Sequence, residues 1–176
     1  MPKLHFEDEA GLYAHKAWET LNLNLPVDLN IVAARLGIEI HEREFVEEID
    51  GVYLRLPDAP PIIAINNSYI KPLARRRFTL AHEIGHHLLG HRISPSSRLF
   101  FLDTATTNRT IVERACDHFA VLLLMPEYLI RQHYAELSYN AEKRVGIMAD
   151  RFGVSMVALR RRLTELDLPY RARRRV

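Results

Sequence analysis

One cysteine in 176 residues, Cys116, excludes an intrachain disulfide framework and fits a reducing compartment. Long apolar runs are missing as well. The longest, Phe119 to Met125, falls far short of the roughly 20 residues that a membrane span needs. The chain does not open with a basic stretch followed by a hydrophobic one, so no signal peptide is expected. Repeats and low-complexity tracts are absent, and the formal net charge is only +2. These absences predict one soluble, cytoplasmic, globular unit with no membrane partner. A chain of this length buries roughly 70% of its unfolded surface, so it needs neither a disulfide nor a metal merely to fold.

The small net charge hides an asymmetry. Residues 1–50 carry 11 Asp/Glu against 4 Lys/Arg, whereas residues 51–176 carry 20 Lys/Arg against 11 Asp/Glu. Arg171, Arg173, Arg174 and Arg175 make the C-terminus basic, which reads as a solvated tail ahead of a nucleic-acid contact. What is plentiful is histidine: nine in all, several of them clustered. That clustering is the first pointer to metal chemistry.

Periodicity places the elements. Glu7 to Leu21 has helical spacing around Leu12, Trp18 and Leu21. Asp28 caps a short helix that Gly37 ends. Ile38 to His41 alternates like a strand, Asp50-Gly51 reads as a turn, and Val52 to Leu56 has the period of a half-buried strand. Pro60-Pro61 precedes a third strand, Ile62 to Ile65, which the prolines suggest is an edge. From Pro72 a helix runs to about Leu89, with Gly90 as its stop and His91 in the loop beyond. A polar connection, Arg92 to Asn108, follows and is long enough to gate a site. Thr107 or Asn108 then caps a helix reaching Leu124, and Pro126 opens another to about Tyr134. Two last helices, Ala141 to Phe152 and Ser155 to Leu166, meet at Gly153-Val154.

The informative segment is Arg77-Phe78-Thr79-Leu80-Ala81-His82-Glu83-Ile84-Gly85-His86-His87. Its H-E-x-x-H places His82 and His86 on one helical face, where two imidazoles suit Zn²⁺. Glu83 is one position on, where it can hold a water and take its proton. Shuffling alone yields this pattern in roughly one such sequence in 30, so its helical context, directly after a strand, has to strengthen it.

A catalytic zinc takes a third protein ligand and keeps one position open. Metzincin spacing fails, because Leu89 and Arg92 stand where a Gly and a His are required. Glu113 on the following helix is the candidate, with Asp117 one turn later placed to orient a ligand histidine, as in gluzincins. A first-turn acid that answers the helix dipole would also look like Glu113. His87 points about 100° away from His86 and reads as packing. His118, His133, Tyr128 and Tyr134 are weak candidates for stabilising an oxyanion, and Cys116 reads as a small buried helix residue.

Several segments are familiar together: Ala64-Ile65-Asn66, the Arg77 to His86 run, Glu113 to Pro126 (ERACDHFAVLLLMP), Val27-Asp28 through Leu36-Gly37-Ile38, and Ala149 to Ser155. Across most of residues 26–166 the chain resembles the ImmA/IrrE family of metallopeptidases. That resemblance implies His82, His86 and Glu113 as metal ligands and Glu83 as the catalytic acid/base. Family members often have Glu-Ala-Asn where this chain has Ala115-Cys116-Asp117, which makes the surroundings of the ligands more acidic. The resemblance also implies a regulator that cleaves a helix-turn-helix repressor, with some members active with Mn²⁺. Larger members add a C-terminal sensor domain, which is not expected here with only about ten residues after the last predicted helix. Any signal is therefore expected from a partner, the metal or expression level.

The expected fold is α+β: a zincin-like metallopeptidase domain with a small sheet and a predominantly helical remainder. Residues 1–136 form its core, residues 137–168 a helix-turn-helix-like pair packed on it, and residues 169–176 a basic tail. The expected activity is zinc-dependent endopeptidase action, with Mn²⁺ as the second candidate ion, on a helix-turn-helix repressor or antitoxin-like partner. A substrate segment would add to the Ile62 to Ile65 edge. The alternative is a DNA-binding or protein-interaction regulator that uses the C-terminal pair, with Arg160, Arg161 and Arg162 on its second helix and a structural metal site. Against it, Arg162 falls where that motif buries an aliphatic side chain.

Overall fold

The computed structural model describes residues 5–46, 48–68, 72–93, 99–104, 110–137 and 141–170. Along the chain run α1 (Phe6–Thr20), α2 (Leu29–Arg35), β1 (Glu39–Arg43), β2 (Ile49–Arg55), β3 (Ile62–Asn66) and α3 (Leu73–Ile93). They are followed by β4 (Leu99–Thr104), α4 (Ile111–Leu124), α5 (Glu127–Glu136), α6 (Ala141–Phe152) and α7 (Met156–Glu165). The fold is α+β, as the sequence predicts, with one mixed sheet and helices dominating. Among the described residues no helix is long and apolar enough to cross a membrane.

Local chemistry explains the helix ends. The Asp28 carboxylate accepts from the Asn30 N–H at 2.9 Å, and the Ser155 hydroxyl accepts from the Ala158 N–H at 3.1 Å. Gly37 takes φ +69° just beyond α2, the left-handed stop expected of it. The cap of α4 is Thr110, whose hydroxyl accepts from the Glu113 N–H at 3.2 Å. Thr107 and Asn108, expected in that role, lie outside the described residues.

The sheet order is β1-β3-β2-β4. β1 runs parallel to β3, and β2 pairs antiparallel with both β3 and β4. The strand Ile62 to Ile65 is therefore interior, not an edge. Its prolines are no obstacle, because pairing begins at Ile62 and Pro61 contributes only its carbonyl, which accepts from the Glu39 N–H at 2.8 Å. With both sides of β3 occupied, no substrate strand can join it.

Three further expectations are corrected. Asp50 and Gly51 belong to β2, where Gly51 pairs with Ile65 on one side and Asp103 on the other. The metal helix runs through Gly90 and His91 to Ile93, since one glycine lowers helix propensity without ending a well-packed helix. Within the supposed polar connection lies β4, built from the apolar run Leu99-Phe100-Phe101-Leu102.

α1 and α3 both pack on α4. α1 uses small residues for this, Ala10 and Ala14 being buried, so Leu12 points to solvent at 56% exposure, contrary to its place in the predicted apolar face. Phe119, Leu123, Ile84, Leu89, Met148, Phe152 and Leu159 belong to one buried core. The C-terminal pair is tied into that core by polar bonds. Arg162, 7% exposed, donates from Nε to the Met125 carbonyl at 3.2 Å. Arg77 on α3 donates to the carbonyls of Gly153 at 3.1 Å and Val27 at 2.8 Å.

Candidate metal centre

α3 stacks His82 and His86 one turn apart, with ring centroids 4.8 Å apart and planes at 77°. α4 crosses α3 at Gly85. A Cβ on Gly85 would lie 3.1 Å from Cys116 Cα and 3.3 Å from Phe119 Cδ1, so glycine is what lets the two helices approach so closely. That approach brings Glu113, in the first turn of α4, onto the histidine pair. Glu113 Oε2 is 3.1 Å from His82 Nε2, Glu113 Oε1 is 3.4 Å from His86 Nε2, and the two Nε2 atoms are 3.1 Å apart. Following Thr110 by three residues, Glu113 occupies the place from which a capping-box glutamate reaches back to its own helix start. Here the carboxylate is turned to the histidines instead.

The donor set fits a metal ion. These three residues are the group among the described residues whose ligand atoms converge, all within 4.8 Å of one another. A tetrahedral Zn²⁺ with bonds near 2.05 Å separates neighbouring ligand atoms by roughly 3.3 Å, which is the spacing found. Protonation favours binding as well. Burial lowers the His86 pKa more than the Glu113 hydrogen bond raises it, leaving a neutral imidazole. Burial raises the Glu113 pKa, but hydrogen bonds from His82 and His86 outweigh it and bring the carboxyl down to about 2. Neutral imidazole and ionised carboxylate are the forms a metal takes.

Each histidine is gripped on its far nitrogen. His82 Nδ1 lies 3.0 Å from Asp117 Oδ1, and His86 Nδ1 lies 3.4 Å from Cys116 Sγ. Burial first, and then the charges of Glu113, Glu83 and Asp117, push the Cys116 thiol pKa up, so it stays protonated. The sequence points to Asp117, but not to this contact of Cys116. Phe101 of β4 was also missed: its ring lies on His86 with centroids 4.0 Å apart and planes 12° apart. The apolar run 99–102 was the signal for it.

Glu83 is fully buried between α3 and β2. Its charge is felt at Cys116, which touches His86, and at Tyr53. Burial, opposed by Arg55 and aided by Glu83, pushes the Tyr53 hydroxyl up to about 12. Tyr53 meets His87 Nδ1 at 3.0 Å, so His87 packs against the sheet, as its angle on the helix predicts. Of the weak oxyanion candidates, His118 is exposed beside Asp117 in a cavity of about 600 Å³ between α4 and α7. His133 bonds Arg151 at 2.9 Å, Tyr128 packs edge-on against Trp18, and the Tyr134 hydroxyl donates to the Pro169 carbonyl at 2.6 Å. None of these three joins the histidine cluster.

The family model of the M78 peptidases, the IrrE N-terminal-like domain, matches residues 33–164. The chain belongs to this family. The matched span holds His82, Glu83, His86, Glu113 and Asp117, and so covers the whole cluster. Family membership supports a peptidase, and the converging side chains support metal binding. Comparison with curated proteins gives no match.

Proposed function

We propose that the chain is a zinc-dependent metallo-endopeptidase of gluzincin type, with His82, His86 and Glu113 as ligands and Glu83 as general acid/base. The observation that carries this reading is the convergence of three ligand atoms at 3.1 to 3.4 Å beside a buried glutamate. When bound, Zn²⁺, or Mn²⁺ as the second candidate, supplies Lewis acidity that brings a water's pKa toward about 7 and polarises a carbonyl. Glu83 Oε would take a proton from an attacking water and return it to the departing amine nitrogen. Asp117 accepts from His82 Nδ1–H, which leaves Nε2 as the ligand atom. Phe101 and the surrounding apolar residues keep bulk water from His86.

β4 lies at the margin of the sheet and carries Phe101 over His86, so a substrate strand pairs along β4 in this reading. The substrate we favour is a cytoplasmic helix-turn-helix repressor or antitoxin-like partner, on the strength of the family resemblance. The segment 137–168 acts as a buttress of the core. Support for this comes from Arg162, spent on the Met125 carbonyl and on Glu165, and from Arg77, spent on Gly153.

Elemental analysis of wild type and Glu83→Gln, with co-expression of a neighbouring helix-turn-helix repressor, tests this reading. Equal metal in both with cleavage by wild type alone is the expected result. No metal in either after reconstitution would sink the site and promote the DNA-binding alternative.

A further inference from the structure

Gly51 sits in the middle of paired strands, where glycine weakens a sheet, and its backbone does not require glycine. Among the described residues, the glycines with positive φ are Gly37 and Gly153. The reason lies above α3. A Cβ on residue 51 would fall 2.6 Å from Thr79 Cγ2, 2.9 Å from Glu83 Oε1 and 3.3 Å from Glu83 Cγ. Thr79 and Glu83 are one helical turn apart on the same face, both buried beneath β2. The bare backbone at residue 51 is thus the roof of the space that holds the Glu83 carboxylate.

The surroundings cannot yield elsewhere. α3 is wedged between the sheet and α4, where Gly85 already brings its backbone against Cys116. Arg77 fixes its first turns to Val27 and Gly153. Thr79 has a single side-chain torsion with two wells open to it in a helix, so its methyl has fewer places to go than a glutamate carboxylate. The most movable atoms near residue 51 are those of the Glu83 side chain. The irregularity in the β2–β4 register between Ile49 and Gly51 adjoins this point, so the strand is already adjusted here.

We propose that Gly51 is a positioning residue for the acid/base: by carrying no side chain it fixes where the Glu83 carboxylate stands relative to the ligands. This inference rests on the peptidase reading. Any side chain at 51 displaces the carboxylate while His82, His86 and Glu113, none of which is among the atoms nearest to a Cβ at 51, keep the metal.

The test needs no knowledge of the substrate. Wild type, Gly51→Ala, Glu83→Gln and the double variant of the two are loaded with Co²⁺ and titrated with acetohydroxamate, a chelator that gives up its hydroxyl proton on binding a metal, a proton that a correctly placed Glu83 carboxylate takes up and shares with the hydroxamate oxygen. Gly51→Ala/Thr79→Ser, which removes the closest methyl, guards against a variant that fails to fold, and Thr79→Ser alone is its control. The expected result is an unchanged visible spectrum before acetohydroxamate in every variant. Affinity then falls about ten-fold or more in Gly51→Ala and Gly51→Ala/Thr79→Ser, the loss of one charge-assisted hydrogen bond. Glu83→Gln falls equally, and adding Gly51→Ala to it costs nothing more. Wild-type affinity in Gly51→Ala/Thr79→Ser, loss of Co²⁺ by that variant, or a further fall on top of Glu83→Gln would each overturn the positioning role. A wild type that binds no Co²⁺, or a Glu83→Gln that keeps full affinity, would instead overturn the peptidase reading beneath it.

Discussion

Phe101 lies flat on His86, with ring centroids 4.0 Å apart and planes only 12° from parallel. The contact joins the marginal strand to a metal-ligand candidate on the central helix. It gives β4 a second reason for its place besides the pairing with β2, and it holds the His86 imidazole against rotation about its side-chain bonds.

Phe101→Ala removes both effects. Lost apolar burial costs about 2 kcal/mol in stability, below the roughly 3 to 5 kcal/mol of a fully buried phenylalanine because Phe101 is only partly buried. Metal retention should weaken as well, since His86 gains rotamer freedom. Thermal unfolding measures the first effect and competition with a chelator the second. A variant that keeps wild-type metal affinity would show that Cys116 and the packing of α4 suffice to hold His86.

Asp117 should matter through His82 rather than through stability. Its oxygen lies 3.0 Å from His82 Nδ1, and removing such a partner typically costs about 10- to 100-fold in metal affinity. Asp117→Ala should therefore fall in that range, and Asp117→Asn should lose less, because the amide oxygen still accepts from Nδ1–H. Competition titrations with both variants decide it: equal losses would mean that the charge of Asp117 outweighs its geometry.

How much of this was legible without coordinates follows the range of the interactions. H-E-x-x-H fixes His82 and His86 by helical period alone, and Glu113 with Asp117 repeats that period on the next helix. Caps such as Asp28 and Ser155 are equally local. Glu113 was harder to read, because the helix dipole and the capping box give a first-turn acid two other uses. Most of the failures are non-local. Nothing near Pro60-Pro61 says that β1 will cover the outer side of β3, and Gly51 resembles a turn glycine until Thr79 and Glu83 are placed beneath it. Phe101 and Cys116 matter only through an imidazole that another element supplies. β4 is different, since Leu99 to Leu102 did announce a strand and the charged and polar residues around it masked the signal.

Tyr53 predicts an alkaline effect. Burial pushes its hydroxyl from the ordinary 10 up to about 12, so the folded protein holds the proton more tightly than the unfolded chain. A group with a raised folded pKa gives stability that is fully present below about 10 and is lost as pH rises toward 12. Wild type should therefore lose stability relative to Tyr53→Phe between pH 10 and 12. At neutral pH the order reverses, because the variant gives up the bond to His87 Nδ1, worth about 1 kcal/mol. Urea unfolding at pH 7 and at about pH 11 should show the two curves changing places. Parallel curves would mean that Tyr53 ionises as an exposed tyrosine does.

Arg77 decides whether the C-terminal pair is part of the metal-site scaffold. Its guanidinium bonds two backbone carbonyls far apart in sequence, Val27 before α2 and Gly153 between α6 and α7. Both partners are half-buried or better, so truncation leaves carbonyls short of a donor as well as removing the bonds. Arg77→Ala should cost about 2 to 3 kcal/mol, the range for two hydrogen bonds from a charged donor weakened by partial solvent access. A buttress predicts one cooperative unfolding transition, shifted to lower denaturant as a whole, with metal retention falling alongside. An independent helix-turn-helix module predicts otherwise: α6 and α7 would melt separately from α3, and metal binding would not change. Denaturation followed at once by far-ultraviolet dichroism and by release of bound Co²⁺ separates the two, because only the buttress makes the curves coincide.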